Sequence, residues 1–202
     1  MMRTNRKWSV SMGMMLVVAG VGAEARDFNS LLQGEYMSTG AATCINSFTG
    51  FNSDFAPNPT STLPPPFVNS FSTQAVRVFN GDGTGTVSGK NLFINSPNQF
   101  GFGAGASAST LSGEFTYTVE PDLSLTIQSA PFTSTATSGS GAGTQTVISN
   151  FPLFKGRISE DLNTIVIQHE MPGVETVTPA VGIPRQRICY RERILIRVNR
   201  GR

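Results

Sequence analysis

From Leu32 onward, apolar and polar residues alternate in short runs cut by Gly, Pro, Asn and Asp. Leu111, Phe115, Tyr117 and Val119 fall on one side of one such run, with Ser112, Glu114, Thr116 and Thr118 on the other. In the next, Leu123, Leu125 and Ile127 alternate with Ser124, Thr126 and Gln128. A period of two residues marks a strand with one buried and one wetted face, and helical spacing is nearly absent. Eight strands are predicted, at about 32–45, 67–79, 84–94, 111–119, 123–130, 145–155, 163–169 and 188–198.

The connections alternate in length. Residues 80–83, 120–122 and 156–162 are short and turn-like, whereas 46–66, 95–110, 131–144 and 170–187 are long and rich in Pro, Gly, Ala, Ser and Thr. In an antiparallel meander every long loop then falls at one end and every short turn at the other, as in an up-and-down barrel with a decorated rim. The glycine-rich "FNGDGTGTVSG" (Phe79 to Gly89) belongs to this pattern. A phosphate cradle leads from a strand into a helix, and none follows here; a calcium loop would need Glu where Asn91 stands. Asn-Gly-Asp-Gly instead supplies the positive φ values of a hairpin corner. In the long loops, "PNPTSTLPPP" reads as extended chain, and Phe100, Phe102 and Phe132 are apolar residues that a ligand-binding mouth could present.

Charge and composition change the picture at the two ends. Arg3, Arg6 and Lys7, an apolar run from Met12 to Val21, and Ala23-Glu24-Ala25 read as a signal peptide over 1–25, with one domain over 26–202. Taking Arg3, Arg6, Lys7 and Glu24 away from 15 basic and 13 acidic residues leaves twelve of each. That balance argues against a nucleic-acid partner. The expected location is periplasmic or extracellular. In that oxidising setting Cys44 and Cys189 are expected to form a disulfide, worth roughly 3–5 kcal/mol in the chain-entropy view.

The disulfide also acts as a ruler. In a closed meander of eight strands the first and last lie side by side and antiparallel, which brings Cys44 and Cys189 together at the rim. Promoting 175–181 to a ninth strand would put them at opposite ends. If Cys44 faces Cys189, then Tyr36 faces Arg197 at the short-turn end. Here "LLQGEYMS" (Leu31 to Ser38) resembles the opening Gly-x-Trp motif of lipocalins, with Tyr36 in place of Trp. The resemblance covers the two end strands and implies that Tyr36 plugs the closed end of an eight-stranded barrel under Arg197. Through "FNGDGTGTVSG", "GRISEDLNTIVI" and "RICYRERILIRV" the chain also resembles small exported bacterial proteins of uncharacterised function, which implies an export route and a β-fold but no activity.

The last strand carries the candidate chemistry. Arg187, Arg191, Arg193 and Arg197 share one side with Cys189 and Leu195, opposite Ile188, Tyr190, Glu192, Ile194, Ile196 and Val198. Desolvation favours the arginines facing outward as solubilising charge. Facing inward, Arg191 and Arg193 would be guanidinium forks for a carboxylate or phosphate, with Glu35 as an acid that could relieve them and Phe102 at the mouth. Neither a nucleophile elbow nor a Cys/His pair is present, and Cys44, Cys189 and His169 lack metal-ligand spacing. No catalytic residue, metal or cofactor is assigned. The leading expectation is a soluble exported barrel that binds a small apolar or amphipathic molecule. The alternatives are an eight-stranded outer-membrane barrel, a structural or surface-interaction protein with a filled barrel, and, last, an isomerase or cyclase.

Overall fold

The computed structural model describes residues 27–59, 62–96, 105–139 and 141–198. The signal peptide expected over 1–25, and Phe100 and Phe102, lie outside these residues. A 3-10 turn, Phe28–Leu31, leads into β1 (Gln33–Ser47), β2 (Phe67–Asn80), β3 (Thr84–Asn95), β4 (Gly105–Val119), β5 (Ser124–Ser129), β6 (Phe132–Ala136), β7 (Gln145–Ser149), β8 (Phe154–Ile158), β9 (Thr164–His169), β10 (Val174–Pro179) and β11 (Arg185–Arg197). All pair antiparallel in one sheet, which closes on itself where β11 meets β1.

Five long strands, β1 to β4 and β11, run the height of the barrel. The remaining wall is split into two tiers. Below, β5, β8 and β9 complete a ring of eight; above, β6, β7 and β10 complete a second ring of eight on the same long strands. The six short strands are therefore three barrel strands, each broken at mid-height. Every break holds a proline, Pro131, Pro152 or Pro172. Proline has no N–H for the ladder and is confined to edges and bulges. At the first break the register against β4 slips by one residue, from Phe115 opposite Ser129 below to Ser112 opposite Thr133 above. That is a bulge, and it re-aims the wall above it. Gly113 opposite it leaves space for the Phe132 ring, which a Cβ there would meet at 2.1 Å.

These breaks correct the sequence-based strand list. The predicted strand 145–155 is β7 and β8, and the predicted loops 131–144 and 170–187 contain β6 and β10. β10 runs on from β9 in the same direction along β11, so the strand count stays even. The Cys44–Cys189 disulfide joins the first and last strands, and Tyr36 lies opposite Arg197 in the same register. "FNGDGTGTVSG" is the β2–β3 hairpin: Gly81 and Gly83 take φ of 85° and 88°, and Asp82 Oδ1 accepts from the Thr84 amide at 2.9 Å.

The core fills the lower half. Tyr36, Phe79, Phe115 and Tyr117 form a chain of aromatic rings there, Phe79 meeting the other three at 5.0 to 5.3 Å, mostly edge to face. Leu125, Ile127, Ile165, Ile167 and Leu195 pack round them. The two phenols reach polar partners at the base: Tyr36 donates to the Leu162 carbonyl at 2.9 Å, and the Tyr117 oxygen lies 2.9 Å from that of Leu32. Outside the base, the Arg197 guanidinium lies 5.9 Å from the Tyr36 ring centre and donates to the Gln33 carbonyl at 2.8 Å. The barrel is closed below by this packing.

Candidate functional site

Above this floor the inward face changes character. Along β11, Leu195 is followed by Arg193, Arg191, Cys189 and Arg187, all buried, while Tyr190, Ile194 and Ile196 are exposed on the outer wall. The arginine face points inward, and the expectation that it faces water is corrected. Desolvation of these guanidiniums is offset by partners invisible in the alternation of a single strand.

The chief partner is Glu175 of β10, whose side chain has no exposure. Its carboxylate accepts from Arg187 Nε at 2.7 Å, from Arg191 Nη2 at 2.7 Å and from Arg191 Nη1. Burial alone would raise the Glu175 carboxyl, but Arg191 and Arg187 outweigh it and hold it at about 2. The cluster stands against the disulfide, with Arg191 Nη2 3.3 Å from Cys189 Sγ. Phe71 lies within cation–π range of Arg187 and Arg191 at 5.8 and 5.6 Å, and Phe151 of Arg191 at 5.7 Å.

Arg193 and Arg77 are held differently. Arg193 folds across Gly40, where a Cβ would stand 2.9 Å from its Cδ. It donates to the carbonyls of Ala41 and Glu192 at 2.7 and 2.6 Å and to Thr73 Oγ1 at 3.1 Å, neutral acceptors in every case. Arg77 of β2 has the Phe115 ring 5.3 Å away, but its Nε and Nη1 are buried with no hydrogen-bond partner among the described residues. Burial lowers Arg77 to about 10 and, with Arg191 and Arg77 nearby, Arg193 to about 9. Both remain cationic at neutral pH.

Arg77, Arg187, Arg191 and Arg193 line a cavity of about 50 Å³ together with Phe71, Phe132 and Phe151. Ser38 and Ser129 also face it, and each hydroxyl is buried without a partner among the described residues. Above it a wider mouth of about 380 Å³ is lined by Asn69, Phe93, Ser109 and Val177, and shares Ile148 and Arg187 with the cavity below.

Of the residues singled out from sequence, Arg191 and Arg193 are thus brought together inside the barrel. Glu35 is not with them: it sits on β1 between inward Tyr36 and the base, on the outward side opposite Val78. Glu175 takes the place foreseen for an acid. His169 ends β9 on the Phe154 ring, 4.2 Å between centres, with Nδ1 3.2 Å from the Cys189 carbonyl; burial pulls it down to about 4, so it is neutral. Arg77, Ser38, Ser129 and Glu175 were not foreseen. Arg77 carried a signal, since Phe71, Thr73, Ala75, Arg77 and Phe79 fall on one side of β2 by alternation.

No protein-family model, curated protein or solved structure matches this chain.

Proposed function

We propose that the protein is an exported, non-enzymatic β-barrel that holds a small amphipathic molecule, polar end inward and apolar part in the mouth. The observation that carries this reading is the two-part interior. A sealed apolar floor supports a polar chamber, which lies beneath a mouth of about 380 Å³. That volume falls within the range of small-molecule sites, roughly 300–1,000 Å³. Phe93, Ile148 and Val177 offer apolar contact in the mouth, and Arg187 a charge at its base.

The disulfide supports an oxidising, non-cytoplasmic setting. The outer wall favours water over lipid. Thr84, Thr86, Ser88 and Lys90 on β3, and Thr110, Ser112, Glu114, Thr116 and Thr118 on β4, are exposed. A barrel in a bilayer needs an apolar belt all the way round. Here exposed Met37, Val166, Ile194 and Ile196 cluster on β1, β9 and β11, and Ile45, Val68, Leu92 and Ile94 lie nearer the rim on β1 to β3, but the outward face of β4 carries no large apolar residue to continue a belt.

The test is native mass spectrometry of protein secreted to the periplasm and purified without detergent, paired with titration of an apolar fluorescent probe. A bound species released on unfolding, or probe binding competed by medium-chain amphiphiles, is the expected result. Protein that binds neither probe nor amphiphile would overturn the reading in favour of a structural barrel.

A further inference from the structure

We infer that the inner cavity of about 50 Å³ is a seat for an oxyanion, the carboxylate or phosphate head of the ligand, with Arg77 as its principal contact and Ser38, Ser129 and Arg193 around it. This rests on the reading of the barrel as a small-molecule binder and specifies what that molecule must carry.

The first support is the location of orphaned polar atoms. Arg77 Nε and Nη1, Ser38 Oγ and Ser129 Oγ are buried without partners among the described residues, and their three residues line the same cavity. Buried polar groups are nearly always satisfied, so such a concentration at one place needs a partner of complementary type. The three residues come from β1, β2 and the end of β5, on different parts of the wall, and converge only here.

Charge supplies the second support. Among the described residues the buried charged groups are four guanidiniums and one carboxylate. Glu175 is committed to Arg187 and Arg191, Arg193 donates to neutral acceptors, and Arg77 has a ring face beside it and, among the described residues, no partner for Nε or Nη1. Internal segments 60–61, 97–104 and 140 contain no acidic residue that could add a counter-charge. Water could satisfy the hydroxyls, but it would leave two buried cations without an anion, a costly arrangement. An oxyanion answers both needs, accepting several hydrogen bonds and neutralising charge.

Size sets the limit. At roughly 10–15 Å³ per water-sized group, the cavity holds about three to five non-hydrogen atoms. A carboxylate or phosphate fits, and a whole amphiphile does not. Its tail would pass Ile148 and Arg187, which stand in the walls of both spaces, into the mouth.

The test uses the full mature chain with decanoate, decanol and inorganic phosphate as probes, by calorimetry and by thermal unfolding at constant ionic strength. Decanoate is expected to bind at least tenfold more tightly than decanol. Arg77→Met should remove most of that preference. Ser38→Ala, which keeps every charge, should weaken decanoate about threefold and serves as the readout if Arg77→Met does not fold. Phosphate should raise the melting temperature of the parent protein but not of Arg77→Met, which shows the seat operating without a tail. Equal affinity for decanoate and decanol overturns the oxyanion seat and leaves the amphiphile reading standing. Should no amphiphile bind, the proposed function falls and the phosphate arm decides the seat alone: a rise that depends on Arg77 supports it, and no rise refutes it.

Discussion

The lower and upper halves of this barrel share five continuous strands and one alternation of inward and outward residues, yet their interiors are built on opposite terms. On β2 the inward series runs from Phe79 through Arg77, Ala75, Thr73 and Phe71 to Asn69; on β11 it runs from Leu195 to Arg193, Arg191, Cys189 and Arg187. Below, rings and aliphatic chains close-pack as in any protein interior. Above, guanidiniums, hydroxyls and amides stand among smaller apolar clusters such as Phe71 with the disulfide and Ile148 with Phe151 and Val177, and the polar groups fill space only where each meets a partner. The floor can therefore carry stability without a ligand, while the upper half carries recognition at a cost in stability. Arg77 stands on the border, against a floor ring on one side and the cavity on the other.

The comparison breaks most readily at Glu175. Glu175→Ala strands two buried cations, an expected loss of about 3–5 kcal/mol by urea unfolding at neutral pH. Acid should shrink that loss. The folded value of about 2 lies below the ordinary 4.5, so the carboxylate's contribution is complete above pH 4.5 and disappears as pH falls through 2. A difference that stays constant from pH 7 to pH 3 would show that the carboxylate's charge is not what anchors β10.

Reduction of Cys44–Cys189 sharpens the same contrast. The bridge spans 145 residues of sequence and lies in the upper half. Its loss should cost about 2–4 kcal/mol. Hydrogen exchange should quicken first at Val174–Pro179, whose strand meets β11 over only four residue pairs beside the disulfide, while Ile165 and Ile167 keep their protection. Uniform quickening would mean that the halves unfold as one unit and that the division is chemical only.

How far the sequence could be read follows from the same division. The closed eight-strand ring and the pairing of Tyr36 with Arg197 were legible because a two-residue period and one disulfide fix a register completely. The mid-height breaks were not. Pro131 and Pro172 read as ends of strands because a proline that bulges a strand and one that ends it look alike until the next strand is seen to resume the ladder. That misreading hid Glu175 in a supposed loop, and without Glu175 an inward arginine face looked too costly. The rule that an apolar side turns inward worked for the floor, at Phe115 and Tyr117. It failed on β11, where Ile194 and Ile196 face outward.

The smallest expected effect is the cleanest probe of the floor as a passive support. Ile127 is fully buried on β5 opposite Phe154, with no charged neighbour in its cluster. Ile127→Val removes one methylene from a close-packed site, an expected loss of about 0.5–1.5 kcal/mol. No titrating group is involved, so the loss should be the same at pH 7 and pH 4, unlike that of Glu175→Ala. Decanoate affinity should also be unchanged, because the methylene removed lines neither the inner cavity nor the mouth. If so conservative a change in the floor weakened decanoate binding severalfold, the packing below would be setting the positions of Arg77 and Ser129 above. The two halves would then be one mechanical unit, with recognition tuned from beneath.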